Sequence, residues 1–302
     1  MSDAPTKIIS DFLNTHYRHL DSIAWSIRSK YNLNTDGNYF ELVPYLTKED
    51  SYFNRRKPDS VGDKKQALIN LRNSWYNESA FLDKSKYGVE TAKFMPWDIV
   101  TFYYSIFSAL SAIVRCDNDD ASLKGHKRMI NCFTNHYLTR KCLCKDVFIP
   151  PLCIIKLKSG KFRPPFEEMA TINEYIGYNQ VGLENCMNSL QQNNNTSLFH
   201  YFLDLRTWVN YEDSYIFRRL YGESIRPNFY RHMYWILSSF LSIAEIYLIW
   251  IFGYEKINEE KSLYISEFDR YFEPEVNPED RVTYNLKKRF EYYDNFKKNK
   301  LA

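Results

Sequence analysis

The chain has 302 residues, 44% of them hydrophobic and 25% charged, with a net charge of +3. That is ample material for a core, excludes global disorder, and is too near neutrality for a protein that coats nucleic acid by charge alone. With 25 Tyr and 21 Phe against 9 Gly, and neither G-x-x-x-x-G-K nor G-x-G-x-x-G, folds that cradle ATP or a dinucleotide are disfavoured and an all-α architecture is expected.

The first segment, MSDAPTKIIS, has no basic region followed by an apolar run, so no signal peptide is expected and the compartment reads as cytoplasmic. The 6 Cys of a cytoplasmic chain are then free thiols or metal ligands. Ile9, Phe12, Leu13, Leu20, Ile23 and Ile27 recur with helical spacing, which predicts an N-terminal helical extension over residues 1–60. His16 and His19 within it read as solvated polar face. The stretch 48–65, with Arg55-Arg56-Lys57, Pro58 and Gly62, reads as an exposed loop and boundary.

A helix is expected over 64–83. The next begins at Pro96 and Asp98 and carries Tyr103, Phe107, Leu110 and Val114 at i, i+4, i+7 and i+11. Beside that stripe Ser105, Ser108 and Ala112 are small enough for another helix to approach closely. Asp117-Asn-Asp-Asp120 ends it, and Ser122 caps a helix running to about Leu138. Over 139–193 the pattern changes: Val147 to Pro151, Cys153 to Leu157 and Ser159-Gly160 predict a small β-hairpin insertion, followed by a helical stretch.

Leu198, Phe202, Leu205, Val209, Ile216 and Leu220 predict a long helix that Gly222 stops. Pro227 suits the first turn of the next. The segment Met233 to Phe252 is apolar over the length of a membrane span, but Glu245 in its second half argues for a buried core helix and against a membrane. Past Gly253, residues 255–280 hold nine acids and three bases, and residues 285–302 six bases and two acids. Asn277-Pro278-Glu279-Asp280 predicts the start of a last amphipathic helix bearing Val282, Leu286, Phe290 and Tyr293, so 255–302 reads as a C-terminal helical tail.

A family resemblance emerges at 97–138. The aromatic run Phe102 to Ala112, then Ser122-Leu-Lys-Gly-His126-Lys-Arg-Met-Ile130 and Phe133, resembles the paired helices of HEPN-domain proteins. Leu205-Arg206-Thr-Trp-Val-Asn-Tyr211-Glu-Asp213 is similar to a segment of the small helical HEPN proteins encoded beside minimal nucleotidyltransferases. The resemblance covers residues 64–253, interrupted by the 139–193 insertion, within an expected HEPN-like bundle over 61–254. It implies a bundle of four or five helices that commonly forms a homo-dimer. Active members are metal-independent ribonucleases of toxin–antitoxin, antiphage and RNA-processing systems, using an R-x4–6-H motif in which Arg holds the phosphate and His moves protons. The chemistry is sound, because Arg offers a bidentate fork and His titrates near neutrality.

This chain departs from the motif. Five residues after Arg206 stands Tyr211, a phenol with a pKa of about 10 and so a poor base. On an unbroken helix the two positions lie about 140° apart. A literal match occurs downstream, Arg226 to His232, although about one such match is expected by chance. Arg226, His232, Arg206 and Tyr211 are therefore the candidate catalytic residues. Arg218, Arg219, Tyr230 and Arg231 are candidates for stacking bases and holding phosphates, or equally for a protein interface.

Cys132, His136, Cys142 and Cys144 have zinc-like character, but they match no standard finger spacing and the first two fit helix packing. No metal or cofactor is expected. Two functions follow. The first is an RNA-binding HEPN-like protein of a bacterial defence or toxin–antitoxin system, in the active case a ribonuclease. The second is a non-catalytic HEPN module that binds a protein partner within a larger defence complex. Tyr211 favours the second; Arg226 and His232 keep the first.

Overall fold

A computed structural model of the chain describes residues 62–85, 95–117, 124–140, 154–155, 196–207, 210, 226–271 and 283–300. They are almost entirely helical. The expected N-terminal extension and nearly all of the 139–193 insertion lie outside them. In chain order the helices are α1 (Lys64–Ser85), α2 (Met95–Asp117), α3 (His126–Cys132), α4 (Leu198–Thr207), α5 (Arg226–Phe252), α6 (Tyr254–Tyr271) and α7 (Tyr284–Lys300). Helix α3 continues as a π-helical stretch over Phe133–Arg140.

Local chemistry sets the ends of these helices. Asp63 Oδ1 accepts from the backbone N–H of Gln66 at 2.9 Å, satisfying one of the unpaired donors at the start of α1. Helix α2 opens on Pro96 and has Asp98 in its first turn. Gly253 adopts φ +90°, a left-handed conformation that ends α5, and its N–H closes on the Ile249 carbonyl at 2.8 Å. Helix α6 starts at the next residue, so this glycine turns the chain between two helices with no loop.

Helices α1, α2 and α5 form the centre. Ser105 and Ala112 of α2 are fully buried, and Ser105 Oγ donates to the Ser74 carbonyl of α1 at 2.7 Å. The small residues thus let the two helices come close enough for a side chain to reach the neighbouring backbone. Every residue of α5 from Met233 to Leu248 is buried. Trp97–Asp117 and Met233–Phe252 are both long and apolar enough to cross a bilayer, and in this fold most of each is covered by protein.

Helices α6 and α7 share the same core. Ile257, Tyr264 and Phe268 of α6, with Leu286, Phe290 and Tyr293 of α7, are buried in one cluster with α1, α2 and α5. At the edge of the bundle Ile154–Ile155 (β1) pairs antiparallel with Thr196–Ser197 (β2), Ile154 opposite Ser197. The expected hairpin over 147–160 otherwise lies outside the described residues, and the strand that Ile154–Ile155 pairs with is not part of it.

Charge also enters the core. Arg289 of α7 is fully buried and donates from Nη1 and Nη2 to the Glu78 carboxylate of α1 at 2.6 and 2.8 Å. Its Nε and Nη2 donate to Glu245 of α5 at 2.9 and 2.8 Å. Trp75 Nε1 and Tyr293 Oη complete the shell of Glu245 at 2.8 and 2.6 Å. Two carboxylates surround one guanidinium, and burial pushes the Glu78 carboxyl up despite Arg289. The carboxylate in the apolar helix thus meets its partner on the last helix.

Candidate functional site

Helix α4 is held to the bundle by two phenylalanines. Phe202 meets Phe102 of α2 edge to face at 5.1 Å, and Phe199 meets Phe133 and Phe240 at 5.2 and 4.8 Å. Arg206 lies one helical turn beyond Phe202 and so faces α2 as well. Its Nη2 donates to Tyr104 Oη at 2.7 Å, and its guanidinium sits 5.4 Å from the Tyr104 ring centroid. A cation–π contact of this kind contributes about 0.5–1 kcal/mol at a partly exposed site.

His126, the first residue of α3, comes to the same place. Its ring stacks on Phe107 at 4.2 Å and lies near Tyr103 and Tyr104 at 5.5 and 5.6 Å. His126 Nδ1 and Tyr103 Oη are 2.5 Å apart. Tyr103 is buried, whereas Tyr104, Phe107, His126 and Arg206 are half-buried. Burial, with the Arg206 charge adding to it, holds the His126 imidazole below its ordinary pKa, so the ring is neutral at pH 7. A guanidinium and a neutral imidazole therefore share the Tyr104 ring, with Tyr103 and Phe107 beside the imidazole. Residues 124–140 add Lys124, Lys127, Arg128 and Arg140 and contain no Asp or Glu; the first three are exposed.

A second histidine secures α4 from its other end. The Ser197 backbone N–H donates to His200 Nδ1 at 3.1 Å, and the Ser197 hydroxyl lies 2.9 Å from the same nitrogen. With Nδ1 accepting, Nε2 carries the proton and donates to Asn131 Oδ1 of α3 at 2.7 Å. His200 thus takes the part that Glu usually plays three residues into a helix, accepting from the backbone N–H of the capping residue. Burial, reinforced by Lys127, pushes His200 down to about 4. Ser197, His200 and Asn131 superficially suggest a hydrolytic triad. Ser197 is fully buried and also accepts from Thr134, however, which leaves no approach for a substrate.

Of the sequence candidates, Arg206 belongs to this site. Arg226, Tyr230, Arg231 and His232 fall in the first two turns of α5, where six residues of helix set positions 226 and 232 about 120° apart around the axis. Tyr211, Arg218 and Arg219 lie outside the described residues, as do Cys142 and Cys144. Cys132 is half-buried on α3 and His136 exposed on its π-helical continuation. Among the described residues no group of three or more His, Cys, Asp or Glu side chains is arranged to hold a metal ion.

Sequence reasoning included His126 in the resemblance without giving it a role. Its importance depends on Gly125, whose φ of +84° turns the chain into α3 and sets the imidazole over Phe107. Comparison with protein-family models, curated proteins and solved structures finds no match for this chain.

Proposed function

We propose that the protein is a HEPN-like, RNA-binding component of a bacterial defence or toxin–antitoxin system, and that single-stranded RNA binds where α2, α3 and α4 meet. One observation carries the binding reading: Arg206 and a neutral His126 stand together among Tyr103, Tyr104 and Phe107, beside the basic start of α3. Guanidinium and ammonium groups hold phosphates, and half-buried aromatic faces stack unpaired bases. The defence setting, and a homo-dimeric state, follow from the resemblance alone.

A metal-independent ribonuclease is the second reading, favoured by an imidazole that stays neutral beside a guanidinium. In that chemistry the imidazole accepts the 2′-hydroxyl proton as the 2′-oxygen attacks the adjacent phosphorus, and the P–O5′ bond breaks to leave a 2′,3′-cyclic phosphate and a 5′-oxygen that takes its proton from water.

The test uses full-length protein in EDTA. Fluorescence anisotropy with a short single-stranded RNA of mixed sequence measures binding, and incubation with tRNA and mixed RNA measures cleavage. Wild type, Arg206→Ala, His126→Ala, Arg226→Ala and His232→Ala are compared. Binding lost in the first two variants alone supports the proposal. Cleavage lost in Arg226→Ala and His232→Ala moves the site to the start of α5. Absence of both activities, with stable co-purification of another protein, favours the assembly module.

A further inference from the structure

The distance between Tyr103 and His126 bears on what the histidine can do. A neutral imidazole carries one proton, and the bond made by one nitrogen fixes the role of the other. Two arrangements satisfy the 2.5 Å contact: the phenol donates to Nδ1, or Nδ1–H donates to the phenol. A phenolic O–H is the better donor, and an imidazole lone pair is the better acceptor. The phenol is buried at 2% exposure, where a short O–H···N bond gains most from low dielectric.

We infer that Tyr103 is a positioning residue: its hydroxyl donates to Nδ1 and holds His126 as the Nε2–H tautomer, so that His126 and Arg206 together form a donor pair for a phosphate group. This deepens the RNA-binding reading and rests on it for the ligand. It assigns His126 to recognition, because Nε2 in this tautomer has no lone pair with which to accept a 2′-hydroxyl proton. The neutral imidazole then acts as a fixed hydrogen-bond donor, and Arg206 supplies the charge. A neutral ring is also the form that a neighbouring guanidinium favours.

The tautomer is measurable in the free protein with no assumption about RNA. Histidine-selective 15N labelling and a long-range 15N–1H spectrum at pH 7.5 distinguish Nδ1–H from Nε2–H, with His126→Gln supplying the assignment. Wild type is expected to show unprotonated Nδ1 and protonated Nε2. Tyr103→Phe is expected to lose that preference and to raise the His126 midpoint, because the donor that stabilised the neutral ring is gone. Tyr104→Phe leaves the tautomer unchanged.

In RNA binding by anisotropy, His126→Gln retains affinity to within about threefold, because its amide supplies a donor near Nε2, whereas His126→Ala loses tenfold or more. A wild-type spectrum showing Nδ1–H overturns the inference and makes His126 a competent base. Equal loss of RNA affinity in His126→Gln and His126→Ala also overturns it. Wild-type protein that binds no RNA but shows the Nε2–H signature removes the ligand and leaves the role of Tyr103 standing.

Discussion

The protein uses arginine in two opposite ways. Arg289 is fully enclosed in the core, its fork filled by the carboxylates of Glu78 and Glu245. Arg206 is half-buried at an edge, braced by a phenol and set beside an imidazole. Arg289 fixes how three helices fit together. Arg206 is held at the edge of the bundle against Tyr104. The difference lies in solvent: a guanidinium cut off from water must have its counter-charges built in, whereas one at an edge can serve an external phosphate.

The sharpest way to break this contrast is to remove each arginine. Arg289→Ala leaves two carboxylates buried without their cation, and urea denaturation should show a loss of about 3–5 kcal/mol. Replacing Arg289 by Met together with Glu78→Gln and Glu245→Gln should recover much of that stability, since an uncharged core has no ion to desolvate. A loss under 1 kcal/mol for Arg289→Ala would mean that the network is not the anchor of α7.

Acid sharpens the contrast from the side of α4. The folded pKa of His200 is about 4 and the unfolded value about 6.5, so the unfolded chain takes up the proton first. Its contribution is therefore complete above about pH 6.5 and fades as pH falls toward 4. It amounts to about 2 kcal/mol after allowance for partial solvent access. His126, also lowered, adds in the same direction. Denaturation midpoints for wild type and His200→Gln should converge as pH falls through this window. Parallel curves would deny His200 its role at the start of α4.

Smaller again is Tyr293→Phe, which deletes one donor to the buried Glu245 carboxylate and should cost about 1.5–2 kcal/mol in the same denaturation series. Smallest in stability is Arg206→Ala, which loses a cation–π contact and a phenol bond at a partly exposed place. A change below about 1 kcal/mol is expected, while RNA affinity should fall tenfold or more. A large loss of stability with unchanged RNA binding would invert the contrast.

Much of the helical framework was legible in the sequence, because helix periodicity and end signals are local. Pro96, Pro227 and Gly253 lie at or next to the ends of α2 and α5. The small residues of α2 pointed to the close approach of α1. The apolar run of α5 was readable as a core helix because of Glu245, and its partner was visible in principle: Arg289 interrupts the apolar face of α7, three residues after Leu286 and one before Phe290. Its meaning depended on three helices meeting, which no local pattern encodes. The long helix expected over 198–220 is described as far as Thr207.

The candidate site was half legible. Arg206 stood out through the resemblance to a known motif, whose histidine place five residues on holds Tyr211, while the literal match along the chain pairs Arg226 with His232. The histidine that shares the Tyr104 ring with it comes from an earlier helix, which no pattern along the chain encodes. Tyr103 was read as one position of an apolar stripe, which it is, and its hydroxyl was invisible to a hydropathy pattern.

Ultraviolet crosslinking of a short single-stranded RNA to the full chain, with the modified peptides mapped by mass spectrometry, tests the central claim most directly. The account predicts crosslinks on Tyr104, Phe107 and His126, diminished in Arg206→Ala. Crosslinks confined to helices α5 to α7, or unaffected by that substitution, would contradict it.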